Sequence, residues 1–372
     1  MTNRQRNNAI LHYQPYDRMP VVHFGWWDTL LEKWHAEKRL TLDEITGVAD
    51  GNSKDKAIGE KLGFDYNYYT TFQPVNGMIT LFPAFESKVK ASFPDGSQHI
   101  LDNEGAITLR KPGAGSIPSE IGHTLVDRAS WEKEYLPRLQ WDERRINTDE
   151  LQTIAKQSAT RTEPLGIYLG SLFGQIRNWM GITGISYLYV DDEDLYDEII
   201  STAADIQYKM SEYILQSGAV FDFGHFWEDI AFKNGPLISP GVFKAKVGPH
   251  YKRLTDLCHR YGIDVVSLDC DGVPDALIPT WLENGVNTMF PIEVGVWGGS
   301  YAPWRKIYGK ELRGVGGVNK HVFALDYSAV DKELERIKPI IELGGYIPCP
   351  DHRLPPDTKW ENVQYYCERM RN

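Results

Sequence analysis

Eight short runs of apolar and β-branched residues punctuate the chain: MPVVHFG (19–25), LGFDYNYY (62–69), LGIYLG (165–170), AVFDFG (219–224), IDVVSLD (263–269), VNTMFPIEV (286–294), LRGVGG (312–317) and GGYIPC (344–349). Runs of this length, bounded by Gly, Pro or Asp, read as buried strands. Between the later ones lie longer stretches with apolar positions three and four apart: DEDLYDEIISTAADIQYKMSEYILQSG, SPGVFKAKVGPHYKRLTDLCHRYG, VPDALIPTWLENG and SAVDKELERIKPIIELGG. These are amphipathic helices, and several close on glycine just before the next strand, as a C-cap does. Strand–helix alternation predicts a parallel sheet covered by helices. Eight strands predict an α/β fold closed as a (β/α)8 TIM barrel. A doubly wound dinucleotide fold lacks its fingerprint, because no GxGxxG follows an early strand. GVGGVN at 314–319 reads as a strand end with a tight turn.

One stretch breaks that rhythm. Residues 78–126 hold the alternating segments FESKVKASF, SQHILDN and AITLRKPG, with the turn signals PDG and DNEG between them. This is the pattern of a β-meander. It predicts a small antiparallel β insertion (78–126) within one barrel domain spanning 1–372.

Composition then narrows the partners. Of 372 residues, 42% are hydrophobic and 24% charged, as in an ordinary soluble globular protein. The net charge of −11, with no basic block, argues against nucleic acid. No run approaches the ~18 apolar residues of a membrane span. The first twenty residues lack the apolar centre of a signal peptide, so a cytoplasmic location is expected, with no membrane association. Four cysteines without a CxxC pair indicate neither a disulfide framework nor a zinc finger.

Candidate chemistry lies at the strand ends. In VVSLDCDG (265–272) the alternation of a strand sends Asp269 and Asp271 one way and Cys270 the other. His23 lies near the end of the first run, with Trp26 and Trp27 after it; His225, Glu228 and Asp229 fall in FDFGHFWED. Glu293 falls in FPIEVG, Lys320 follows GVGGVN, and His352 and Arg353 fall in IPCPDHRLPP. Each has a plain structural reading. A histidine after a strand is commonly just hydrogen-bonded, Asp271 could cap a helix near Pro274, and Glu228–Asp229 could be a solvated loop. Together they would converge at one barrel mouth, where bare carboxylates repel. A proton, Lys320 or Arg353, or a divalent metal must then neutralise them. Two Asp and a His form an N/O ligand set suited to Zn2+ and other first-row metals.

The stretches SLDCDG, LIPTWLENGVNTMFPIEVG, LRGVGGVNK, ELGGYIPCPDHRLPPDTKWEN and WEDIAFKNGPLISPGVF, with ILHYQPYDRMPV near the start, resemble the uroporphyrinogen decarboxylase superfamily. The resemblance spans nearly the whole chain and implies a (β/α)8 barrel. True decarboxylases of the superfamily carry an arginine-rich segment after the first strand that grips tetrapyrrole carboxylates. Here FGWWDTLLEKWHAEK stands in that place, and no arginine occurs between Arg18 and Arg39. An anionic porphyrinogen needs cationic partners, so its turnover is not expected. The chain is more similar to the corrinoid-linked methyltransferases, whose zinc is held by His-x-Cys and a distant Cys. Asp269-x-Asp271-Gly272 falls on the His-x-Cys-Gly pattern, and His352 falls near the distant Cys. The resemblance implies a harder metal site of Asp269, Asp271 and His352.

The leading expectation is a metal-assisted methyltransferase or demethylase for a small methylated compound. Its methyl partner would be a corrinoid carried by a partner protein, or a thiol, and its cofactor a divalent metal such as Zn2+. Asp271, His23, Glu293 and Lys320 are the candidate catalytic groups. Trp26, Trp27, His225, Glu228, Asp229 and Arg353 are the candidate substrate contacts, the aromatic wall suiting a methylated cation. A homodimer is expected by resemblance. The alternative is a metal-free lyase, in which Asp269 or Asp271 stabilises a protonated intermediate and Lys320 or Arg353 holds a substrate carboxylate. A non-catalytic barrel is the third reading.

Overall fold

A computed structural model of the chain describes residues 1–112 and 118–371. In chain order, β1 (Val22–His23), β2 (Tyr66–Asn67) and β3 (Thr71–Phe72) precede an antiparallel group, β4 (Lys88–Ser92), β5 (Gln98–Leu101), β6 (Ala106–Arg110) and β7 (Ser119–His123). Then come β8 (Gly166–Tyr168), β9 (Phe223–Trp227), the hairpin strands β10 (Ala231–Phe232) and β11 (Gly235–Pro236), and β12 (Val266–Asp269). The last three are β13 (Thr288–Ile292), β14 (Arg313–Val318) and β15 (Tyr346–Pro350). Seven strands form one parallel sheet in the order β15-β14-β13-β12-β9-β8-β3. A parallel pair, β1 with β2, stands beside it, and a single parallel bridge from Trp26 to Leu354 ties the end of β1 to the end of β15. The result is a TIM-barrel-like α/β fold with a large parallel sheet and many helices.

Alternation along the strands sorts side chains into two layers. Val22, Phe24, Tyr66, Tyr68, Phe223, Val265, Phe290, Val315, Ile347 and Cys349 pack together on the inner face. Val266, Leu268 and Phe226 belong instead to the larger core shared with the helices. It follows from this parity that Ser267 and Asp269 of β12, and His225 of β9, face inward with Val265 and Phe223. Strands buried on both faces read as nearly unbroken apolar runs, which is why the eight runs were visible in the sequence.

Two departures from the sequence pattern bear on the site. β9 begins at Phe223, later than the run at 219 predicts, so Asp222 sits at the opposite end from the strand's C-terminus. There it is bonded to Arg4 (2.6 Å) and Arg161 (2.8 Å). The helix Gly174–Asp191 was not marked by apolar spacing. It is kinked at Gly181, whose φ of 74° and approach to the His123 ring (2.5 Å from an added Cβ) both require glycine.

The segment 88–123 is a four-stranded antiparallel sheet in the order β4-β5-β6-β7. β6 and β7 lie against the helix Gly174–Asp191. Residues 113–117 of the expected insertion lie outside the described residues. Among the described residues no helix is long and apolar enough to cross a membrane.

Candidate functional site

β9 and β12 are neighbours in register, with Trp227 opposite Asp269. Each runs on into a turn that carries a further aspartate. Gly272 has φ 96°, and an added Cβ there would meet the Ala231 carbonyl carbon at 2.7 Å. Glycine thus lets the turn after β12 lie directly on the hairpin after β9. Across this contact the Asp271 N–H donates to Asp229 Oδ1 at 3.0 Å. Asp229 itself holds a positive φ of 48°, an uncommon state for a non-glycine residue. Arg177 donates to its carbonyl oxygen at 2.9 Å.

These turns gather Asp229, Asp269 and Asp271, with one carboxylate oxygen from each lying within 4.8 Å of the others. So close a set is electrostatically strained without a counter-ion. Burial, then the charge of Asp271, pushes Asp229 up to about 7. Burial followed by the charges of Asp229 and Asp271 pushes Asp269 well above the ordinary carboxyl range. Glu293 is raised too, by burial and then by Asp271. In the metal-free state Asp229, Asp269 and Glu293 therefore release their protons at higher pH than isolated carboxyls do.

The remaining wall comes from the strand ends on either side. His352 places Nε2 3.4 Å from Asp271 Oδ2. Its ring stacks on Trp27 (5.6 Å, 15°) and meets Phe24 edge-on (5.5 Å). Glu293 accepts the Gly272 N–H at 3.2 Å and faces Lys320 Nζ at 3.4 Å. Arg353 is bonded to Asp50 (3.1 and 2.6 Å) and lies over the rings of Phe24 and Tyr69. Tyr69 stands beside Asp269. Asp351, wholly buried, accepts N–H groups from Val294, Gly295 and Lys320, so it locks the loops after β13, β14 and β15 together.

One expected catalytic group, His23, and three expected substrate contacts, Trp26, Glu228 and His225, lie elsewhere. His23 alternates with the inward Val22 and Phe24, so it faces the helix layer. There it is buried against Trp26 (4.4 Å) and Phe64 (4.9 Å), and burial lowers its pKa. Trp26 shares that layer and donates from Nε1 to Asp55 at 2.8 Å. Neither reaches the aspartates' side: His23 by strand parity, and Trp26 because the chain turns at Gly25, where φ is 83°. Glu228 is not a substrate contact either. It is fully buried and accepts from Ser171 Oγ, the N–H groups of Leu172, Phe173 and Gly174, and the Tyr251 hydroxyl. It serves as the anion at the N-terminus of the helix Gly174–Asp191.

His225 faces inward but is fully buried beside Tyr69 and Phe290, one layer below Asp269. Its Nδ1 lies 2.7 Å from Ser267 Oγ. Burial drives its pKa down to about 3, so it is a neutral ring in the floor.

The donor set fits a hard divalent cation better than a thiophilic one. Three carboxylates offer oxygen, His352 offers one nitrogen, and bound charge would keep all three carboxyls ionised. Cys270 is buried on the other face of β12, with Sγ 3.4 Å from the Asp271 carbonyl, and offers no thiolate to this group. Sequence reasoning placed Asp229 among substrate contacts, whereas it belongs with the carboxylates. It also missed Arg177, Asp50 and Tyr69. The signal available for Asp229 was its place just beyond a run adjoining IDVVSLD. Nothing local marked the other three.

No protein-family profile matches the chain, and no curated protein matches it in sequence. Among solved structures, the chain is similar to a methyltransferase from Methanosarcina mazei, with TM-score 0.60 and 15% identity over 100% of this chain and 98% of that one. A candidate vitamin-B12-independent methionine synthase from Listeria monocytogenes matches with TM-score 0.36 and 11% identity over 60% of this chain and 68% of that one. The first likeness establishes a shared fold.

Proposed function

We propose that the chain is a metal-dependent methyltransferase or demethylase of the uroporphyrinogen decarboxylase superfamily, acting in the cytoplasm on a small methylated compound. Its methyl partner is a corrinoid carried by another protein, or a thiol, and its scaffold is a barrel closed between β15 and β1. The observation that carries this reading is the Asp229–Asp269–Asp271 group at the C-terminal ends of adjacent strands, where barrel enzymes keep their chemistry. The fold shared with a methyltransferase agrees with it.

Asp229, Asp269 and Asp271 would hold the cation, with His352 as the nitrogen donor. When bound, the ion supplies Lewis acidity toward the atom that takes or releases the methyl group. The protein's own groups do the rest. Trp27 stacks on His352, fixing its ring and presenting an apolar wall to the substrate. Glu293, its carboxyl raised by burial and then by the charge of Asp271, lies beside Asp271 and is steadied by Lys320. Arg353, clamped by Asp50, covers Tyr69 and Phe24 and keeps water off the inner wall.

The lyase reading draws on one feature: without a cation, burial and neighbouring charge raise Asp229 and Asp269 above ordinary carboxyls. It is weakened by the cations it needs. Lys320 already faces Glu293 and Asp351, and Arg353 is engaged by Asp50, so neither is free for a substrate carboxylate. The test is to purify the protein without chelators and assay methyl release from methylated ethers, amines and thiols with free cobalamin as acceptor. Activity that disappears on metal stripping and returns with a divalent ion supports the proposal. Carbon dioxide release by metal-free protein supports the lyase.

A further inference from the structure

The carboxylate group depends on Asp229, and Asp229 holds a backbone state that is uncommon for a residue other than glycine. What fixes it comes from the helix Gly174–Asp191. The first residue of that helix is pressed against the end of β9, since an added Cβ on Gly174 would fall 1.9 Å from the Glu228 carbonyl oxygen. One turn on, Arg177 donates to the Asp229 carbonyl. The same guanidinium donates to Asn178 Oδ1 at 2.8 Å. Asn178 in turn donates to Glu104 Oε1 at 3.4 Å, while Gln175 donates to Glu104 Oε2 at 3.2 Å. His123 of β7 places Nδ1 3.2 Å from the Asn178 carbonyl oxygen. Glu104 lies in the turn between β5 and β6, so both anchors belong to the antiparallel sheet.

The kink at Gly181 gives these contacts their weight. It interrupts the helix after two turns, so residues 174–180 are not stiffened by an unbroken continuation. The sheet supplies that stiffness from outside, gripping side chains through Glu104 and a main-chain carbonyl through His123. We propose that the antiparallel sheet is a positioning element of the carboxylate centre, acting from Glu104 through Asn178 and Arg177 on Asp229. This inference rests on the metal reading of that centre. Glu104 is a positioning residue, since it touches neither the aspartates nor their surroundings directly.

Titration of manganese(II) into metal-stripped protein, followed calorimetrically and by its paramagnetic resonance signal, tests the path. Glu104→Ala and Asn178→Ala should each bind about tenfold more weakly than wild type, at the low end for outer partners of a metal ligand. The double variant should be little worse than either single one, because both break one path. Glu104→Gln, which keeps one acceptor oxygen, should recover part of the loss, and it carries the test with Asn178→Ala if Glu104→Ala does not fold. Phe93→Leu is the matched control. Phe93 meets His99 edge-on (4.6 Å) at the turn between β4 and β5, the other end of β5 from Glu104, and its substitution should leave affinity unchanged whatever it does to the melting temperature. Unchanged affinity in the Glu104 and Asn178 variants, or an equal loss in Phe93→Leu, overturns the inference while the metal reading stands. Wild-type protein that takes up no manganese overturns both.

Discussion

Glu228 and Asp229 are adjacent carboxylates at the end of β9 with opposite surroundings. Glu228 is fully buried and meets five donors, three of them main-chain N–H groups at a helix N-terminus. Among the described residues the Asp229 side chain meets one, the Asp271 N–H, and faces two further carboxylates. Burial raises both, but at Glu228 the donors pull back, whereas at Asp229 the next cause, the charge of Asp271, adds to the shift. Burial alone therefore does not separate a structural acid from a functional one. The count of donors against like charges does.

The comparison is sharpest under substitution. Glu228→Ala strands three buried N–H groups and should cost on the order of 3–5 kcal/mol, as breaking a buried charged contact does. The expected outcome in a urea melt is a large loss of stability, or insoluble protein. Asp269→Asn should do the reverse. Activity and metal binding disappear, while metal-free protein melts at an equal or higher temperature because a neutral amide replaces the carboxyl whose charged form is disfavoured by burial and by Asp229 and Asp271. If the two variants destabilise alike, the distinction between the two acids is wrong.

A smaller effect is expected from pH. Asp229 and Glu104 are raised to about 7 in the folded chain, in both cases with burial as the first cause. Groups raised on folding give stability that is present at low pH and lost as pH rises through the folded value. Metal-free protein should thus lose a few degrees of melting temperature between about pH 5 and 8. A divalent ion should abolish the part due to Asp229 and leave the part due to Glu104. His225 works in the opposite sense. Lowered to about 3, its contribution is complete above the ordinary histidine value and declines as pH falls toward 3. Melting curves across pH, with and without manganese(II), separate the three. The smallest change is expected for Trp27→Phe, which keeps a stacking face for His352. A severalfold rise in KM with unchanged metal content is the expected outcome, measured by steady-state kinetics.

How much of this was legible in the sequence follows from what each feature depends on. The strands showed because parallel strands buried on both faces leave unbroken apolar runs. Asp269 and Asp271 could be put on one side because two residues of alternation need no tertiary information. His23 failed on the same rule: the phase of a two-residue strand cannot be set without its neighbours, and Val22 and Phe24 took the inner face. Glu228 and Asp229 were indistinguishable as a pair because the donors that separate them come from residues 171–174, 251 and 271. The kinked helix Gly174–Asp191 was hidden by its glycines, and with it the whole path from Glu104 to Asp229.

The most direct test of the carboxylate centre is elemental analysis of wild-type protein and Asp271→Ala, both purified without chelators and matched by circular dichroism. The expected result is about one divalent ion per wild-type chain, held by oxygen-rich ligands, and none in the variant, with methyl-transfer activity lost in step. Metal-free wild-type protein with full activity, or a variant that keeps its ion, would contradict it.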